Sequence, residues 1–86
     1  AVTSAGRHET SDIYLDDITV SRRHAEIRRE RGEFRVVDRG SRNNTYLNGQ
    51  PVDSAVLRNG DEIQIGKYRL AFVGPDQSVG AGYPRG

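Results

Sequence analysis

Three polar stretches hold the side chains of this sequence best suited to chemistry. They are Ala5-Gly6-Arg7-His8, Val20-Ser21-Arg22-Arg23-His24 and Arg39-Gly40-Ser41-Arg42-Asn43-Asn44-Thr45. If Arg7, Ser21, Arg22 and Arg42 converge with Asn43, they offer guanidinium, hydroxyl and amide donors and no carboxylate. Such a group suits a dianion such as a phosphate ester, which takes several charge-assisted hydrogen bonds at once. The choice of cation points the same way. Lys67 is the single lysine among 13 basic residues, and the planar fork of Arg matches phosphate in a way the Lys ammonium does not. The charges are also segregated. Residues 21–42 carry eight Arg against four acids, whereas residues 9–17 carry four acids (Glu9, Asp12, Asp16, Asp17) and no Lys or Arg. Asp16-Asp17 reads as a solvated acidic turn rather than a metal-binding pair. Arg28, Arg29, Arg31 and Arg35 fit solvated strand faces as well as they fit a ligand surface.

Two other chemistries are open to these residue types. Ser21, His24 and Asp38 are the types of a hydrolytic triad. However, there is no Gly-x-Ser-x-Gly elbow and no clear oxyanion loop, and Arg crowds the Ser. No catalytic residue, metal or cofactor is therefore expected. A barrel for single-stranded nucleic acid needs a basic groove with aromatic platforms. Here the net charge is +1, and Phe34, Tyr68 and Phe72 alternate as core residues would, so no nucleic-acid partner is expected.

Loops of this kind need a scaffold, and the pattern between them is one of short strands. Ile13–Leu15 reads as a strand, as does His24–Arg31, where Ala25, Ile27 and Arg29 alternate with Glu26, Arg28 and Glu30. Phe34–Val37, Tyr46-Leu47, Ala55–Leu57 and Glu62–Ile65 follow. Tyr68, Leu70 and Phe72 line one face of the last strand. Arg31-Gly32, Asn48-Gly49, Asn59-Gly60 and Gly66-Lys67 read as turns, and Asn-Gly is a strong hairpin signal. No segment reads as a helix long enough to serve as a parallel crossover, so the expected class is all-β, a sandwich of mainly antiparallel strands. Gly74-Pro75 closes it, and the Gly- and Pro-rich stretch 75–86, which contains Tyr83, reads as a flexible linker.

The chain has 86 residues, which allows one domain with one modest core. There is no Cys, hence no disulfide or thiolate metal site. No apolar run is long enough to span a membrane, and no secretory leader is seen. These features suit a cytoplasmic protein with no membrane partner.

The order and spacing of Gly6-Arg7, Ser21-x-x-His24 and Asn43 ahead of Thr45 resemble the signature of forkhead-associated (FHA) domains. The stretches AGRHETSDIYLDDITVSRRHAEI, VVDRGSRNNTYLNG and NGDEIQIGKYRLAFV look like an actinobacterial subgroup that includes phospho-regulated inhibitors of 2-oxoglutarate metabolism. The resemblance runs from about Ser4 to Val73. It implies an FHA β-sandwich over residues 1–74 that recognises phosphothreonine peptides in Ser/Thr kinase signalling. The partner would be a phosphorylated protein such as a Ser/Thr kinase or its substrate. It also implies roles for particular residues. Arg7 and Arg22 would contact phosphate, Ser21 would hydrogen-bond a phosphate oxygen, and Arg42 would face the phosphothreonine. Asn43 would bond the peptide backbone, while Gly6, His24 and Thr45 would support the site. An alternative within the same family is a phosphate-independent regulator that binds a folded metabolic enzyme through the same loops. Two departures from the family pattern stand out. Asn44 occupies the place of a usual Gly, where a positive φ is expected. The family also has two further strands ahead of the Gly-Arg block, where this sequence has only residues 1–5, so the first one or two strands are expected to be lacking.

Overall fold

The computed structural model describes residues 1–74, so the expected linker 75–86 lies outside the described residues. Within them the chain forms nine strands and no helix. They are β1 (Val2–Gly6), β2 (Ile13–Tyr14), β3 (Ala25–Glu30), β4 (Glu33–Asp38), β5 (Thr45–Leu47), β6 (Gln50–Val52), β7 (Ser54–Leu57), β8 (Glu62–Ile65) and β9 (Tyr68–Ala71). One sheet runs β2-β1-β3-β4-β7 and the other β6-β5-β8-β9. All pairings are antiparallel except β1 with β2, which is confined to Ala5↔Ile13 and Gly6↔Tyr14. The chain is an all-β sandwich of mainly antiparallel strands.

Local chemistry explains the tight turns. Arg31-Gly32 joins β3 to β4 with φ of 54° and 81°, and Asn48-Gly49 joins β5 to β6 with φ of 50° and 85°. Two consecutive positive φ values make the turn whose twist matches that of the flanking strands. The Asn59-Gly60 turn does something else. It carries the chain from β7 in one sheet to β8 in the other, so it is not the hairpin its sequence suggests.

The core lies between the sheets. Ala5, Ala25, Val36 and Leu57 come from the larger sheet, Ile63 and Ile65 from the smaller, and Leu15 and Val20 from the loop that follows β2. Removing each large apolar side chain from water contributes about 1.5–3 kcal/mol. The Phe34 and Phe72 rings meet in a tilted arrangement, with centroids 5.3 Å apart, and both pack against this cluster. The aromatic residues expected to be core are therefore packed against it rather than offered as platforms. The Arg of the strand faces have local partners: Arg28 pairs with Glu26, Arg29 lies over the Phe34 ring, and Arg35 donates to Ser54. Among the described residues, no helix is long and apolar enough to cross a membrane.

Candidate functional site

Three loops gather at the end of the sandwich where β1 ends and β3 begins, and backbone hydrogen bonds lace them together. Arg7 N donates to Ser21 O, His8 N to Arg22 O, His24 N to Ala5 O and Arg39 N to His24 O, at 2.8–3.2 Å. The loops approach so closely that Gly6 has no room for a side chain. A Cβ there would meet Arg22 O at 2.1 Å.

His24 sits at the centre of the lacing, fully buried. Its Nδ1 accepts from Ser21 N at 3.0 Å, and its Nε2 lies 2.8 Å from Asn44 O. A backbone N–H can only donate and a carbonyl can only accept, so the ring is neutral with its proton on Nε2. One side chain thus spaces the second loop from the third. Asn44 meets it with φ 67°, the left-handed conformation expected where the family pattern has Gly, and one that Asn tolerates.

The third loop is organised by Asp38. Its carboxylate accepts from the N–H groups of Gly40 and Ser41 and from the hydroxyls of Ser41 and Thr45, the last at 2.7 Å. Desolvation pulls its pKa upward, but these donors, with the Ser41 hydroxyl foremost, outweigh it and hold the carboxyl below its usual range. Thr45 is fully buried. The three residue types of a hydrolytic triad are thus present but not chained. Asp38 serves the third loop, His24 serves two backbone groups, and Ser21 Oγ accepts from Arg42 N at 3.0 Å.

Between the loops opens a cleft of about 340 Å³ lined by Arg7, Ile18, Thr19, Val20, Ser21, Arg22, Arg42 and Asn43. All five residues singled out from the sequence as ligand-binding are in that wall, and no carboxylate is. Arg7 is anchored by its Nε, which donates to Val20 O at 3.0 Å, and the residue remains exposed. Among the described residues, Arg7, Arg22 and Arg42 enter no ion pair. Because Ser21 Oγ already accepts from Arg42 N, its own proton remains to be donated. Asn43 uses one amide hydrogen on Thr19 O at 3.0 Å and keeps its carbonyl oxygen. The cleft therefore presents cationic forks, one hydroxyl donor and one amide, with the Arg7, Ser21 and Asn43 side chains each held by a hydrogen bond to another segment of the wall. A second recess of about 320 Å³, lined by Arg7, His8, Glu9, Tyr14, Asp16 and Arg22, adjoins it through the two shared Arg.

Part of the wall lies outside the residues singled out from the sequence. Ile18 and Thr19 line the cleft, and Asp17 and Lys67 hold them. Asp17 Oδ2 accepts from Thr19 N at 2.9 Å and from the Thr19 hydroxyl, and Lys67 Nζ lies 3.1 Å from Asp17 Oδ1. The Thr19 hydroxyl foremost, then its N–H and Lys67, hold the Asp17 carboxyl down from 3.8 to about 2. The same ion pair raises the Lys67 ammonium above its usual range. Asp17 does open a turn, its O accepting from Val20 N at 3.0 Å, but its carboxylate is a bracket rather than a freely solvated charge. Its Asp-x-Thr spacing, in which the carboxylate bonds the N–H two residues on, is the signal that points to it. Lys67 is too distant in sequence to show any.

The FHA domain family profile matches residues 3–66 of this chain. Glycogen accumulation regulator GarA of Mycobacterium tuberculosis is 70% identical over 78 residues, covering 90% of this chain and 48% of that protein. An oxoglutarate dehydrogenase inhibitor of Corynebacterium diphtheriae is 65% identical over 71 residues, covering 83% of this chain and 50% of that protein. The chain thus spans about half the length of these curated relatives. A solved FHA domain, studied for phosphothreonine-dependent FHA interactions, superposes with a TM-score of 0.79 at 34% identity, covering 83% of this chain and 74% of that one. The relatives bear the names of a regulator and an inhibitor, not of enzymes.

Proposed function

The chain belongs to the FHA domain family, whose members are phosphothreonine-binding modules, and from that premise we propose that its loop cleft docks a phosphothreonine peptide displayed in Ser/Thr kinase signalling. The observation that carries this is the lining itself: Arg7, Arg22 and Arg42 line one cleft with Ser21, and no carboxylate is in that lining. A phosphate ester carrying about −1.5 to −2 charge is the ligand such a set favours. Arg7 and Arg22 supply charge, Ser21 a directional donor, Arg42 a further fork, and Asn43 a contact to the peptide backbone. Gly6, His24 and Thr45 keep the loops in place.

The names of the relatives favour a second reading, in which the same loops hold a folded metabolic enzyme without phosphate. Calorimetric titration with a phosphothreonine peptide, its phosphoserine counterpart and its unmodified Thr counterpart separates the two. The expected result is tightest binding to phosphothreonine, weakening with salt as exposed charges are screened. It should also weaken as pH falls below about 6 and the phosphate takes up a proton. Equal binding of the phosphothreonine and Thr peptides would reject the proposal in favour of the second reading.

A further inference from the structure

Gly66 and Lys67 form the turn from β8 to β9 in the smaller sheet, and neither lines the cleft. The turn nevertheless grips the backbone on which two cleft side chains are anchored. Arg7 Nε donates to Val20 O and Asn43 Nδ2 donates to Thr19 O, both at 3.0 Å. These two carbonyls are consecutive, so one short stretch of chain sets where both side chains are held. That stretch is fixed from the turn in three ways. Lys67 N donates to the Thr19 hydroxyl at 3.0 Å, and that hydroxyl in turn donates to Asp17 Oδ2. Lys67 Nζ lies 3.1 Å from Asp17 Oδ1, while Asp17 Oδ2 also accepts from Thr19 N at 2.9 Å. Gly66 packs so closely that a Cβ on it would meet Val20 Cγ2 at 2.8 Å and Thr19 O at 2.9 Å. Lys67 is the single lysine of the chain, and its ammonium lies 5.6 Å from the centroid of the Tyr68 ring. The Asp17 side chain is 17% exposed and that of Lys67 62%, so the carboxylate is tucked in and the ammonium closes over it.

We infer that Lys67 is a positioning residue for phosphopeptide binding: from outside the cleft its ammonium holds the Asp17 carboxylate, Asp17 holds Thr19, and the Thr19 and Val20 carbonyls hold Asn43 and Arg7. This rests on the phosphopeptide reading above and adds a contribution from the opposite sheet. Without the ammonium, Asp17 Oδ1 loses its partner, and the carboxylate can turn toward water and release Thr19. The consecutive carbonyls then wander, and with them the two side chains that they anchor. Apparent affinity falls in proportion to the share of molecules that keep both side chains in place. An exposed ion pair biases such an equilibrium only modestly, so the effect corresponds to about threefold.

The test is a double-mutant cycle read by calorimetric titration with one phosphothreonine peptide, its unmodified Thr counterpart serving as control. The proteins are the wild-type chain, Lys67→Gln, Lys67→Arg, Asp17→Asn and the Lys67→Gln/Asp17→Asn pair. Lys67→Gln is expected to weaken phosphopeptide binding about threefold, and Lys67→Arg, which keeps a cation within reach of Asp17, to restore most of it. In the Asp17→Asn background, Lys67→Gln is expected to do nothing further, because no carboxylate is left to hold. A lysine that merely attracted the phosphate through space would act equally in both backgrounds. In the free protein, the Asn43 side-chain amide and the Thr19 backbone amide should shift in the nuclear magnetic resonance spectrum of Lys67→Gln, which also shows that the variant is folded. The inference is overturned if Lys67→Gln binds as the wild type does, or if its loss is the same with Asp17 and with Asn at that position. If the wild type binds phosphothreonine and Thr peptides alike, the phosphopeptide reading fails and this inference falls with it, an outcome visible in the control arm alone.

Discussion

The two ends of the β3–β4 hairpin make opposite use of arginine. At the loop end, Arg7, Arg22 and Arg42 surround a cleft of about 340 Å³ that contains no acid. At the turn end, Glu30, Arg31, Glu33 and Arg35 line a larger recess of about 470 Å³ in which acids alternate with bases. Size alone would favour the turn end. Composition of the lining decides otherwise: two acids share the turn-end recess with two Arg, whereas the loop-end cleft is lined by three Arg and no acid, which suits an anionic ligand. The loop end is also braced by a buried polar network, while the turn end is a two-residue reversal with Glu30 and Glu33 directly opposed. Like charges facing each other across a pair of strands destabilise it, which suits a solvated turn and not a built site.

The largest expected effect breaks the bracing of the loop end. His24→Ala leaves Ser21 N–H and Asn44 O without their partner and opens a cavity, a cost of about 3 kcal/mol. Chemical denaturation should register it, and peptide affinity should fall as well because the second and third loops lose their spacer. Next, Gly6→Ala drives a Cβ into the Arg22 carbonyl. Overpacking of this kind costs about 1–3 kcal/mol, visible as a lowered melting temperature.

Substitutions of Arg sharpen the contrast without unfolding anything. Arg7→Ala removes a charge-assisted contact and should weaken phosphothreonine binding roughly 10- to 150-fold by calorimetry. Arg35→Ala at the turn end should change it by less than about twofold. If the two substitutions proved equal, the difference between the ends would lose its meaning. The smallest effect concerns Asp17, whose carboxyl is held near 2 in the folded chain against 3.8 ordinarily. A depressed folded value means that the unfolded chain takes up protons first as pH falls. The contribution of Asp17 to stability is therefore complete above about pH 4 and is lost as pH drops through about 2. Asp17→Asn should flatten the acid limb of the stability curve in that window.

The fold was legible wherever a local signal settled the outcome. Arg31-Gly32 and Asn48-Gly49 announce their turns because positive φ demands particular residues, and β3 announces itself by alternation. Two strands gave no such signal. Val2 and Thr3 of β1 face solvent, so no apolar period marks the strand. β6 contains Pro51, which argues against a strand unless the strand lies at a sheet edge, as β6 does. The wall of the cleft divides in the same way. Arg7, Ser21, Arg22, Arg42 and Asn43 sit in compact polar loops whose donors are visible in the residue types. Lys67 reaches Thr19 from 48 positions away, and no local pattern records a contact made only by folding. Asp38 is the instructive case. As a residue type it suits a triad, yet its partners make it the organiser of residues 39–45. Chemistry inferred from residue type alone needs the hydrogen-bond partners before a role can be given.

The most direct test of the central claim is an amide chemical-shift map of the chain titrated with a phosphothreonine peptide. The account predicts shifts concentrated at Arg7, Ser21, Arg22, Arg42 and Asn43, with the turn from Glu30 to Arg35 unmoved. Shifts centred on that turn, or a map that the unmodified Thr peptide reproduces, would contradict it.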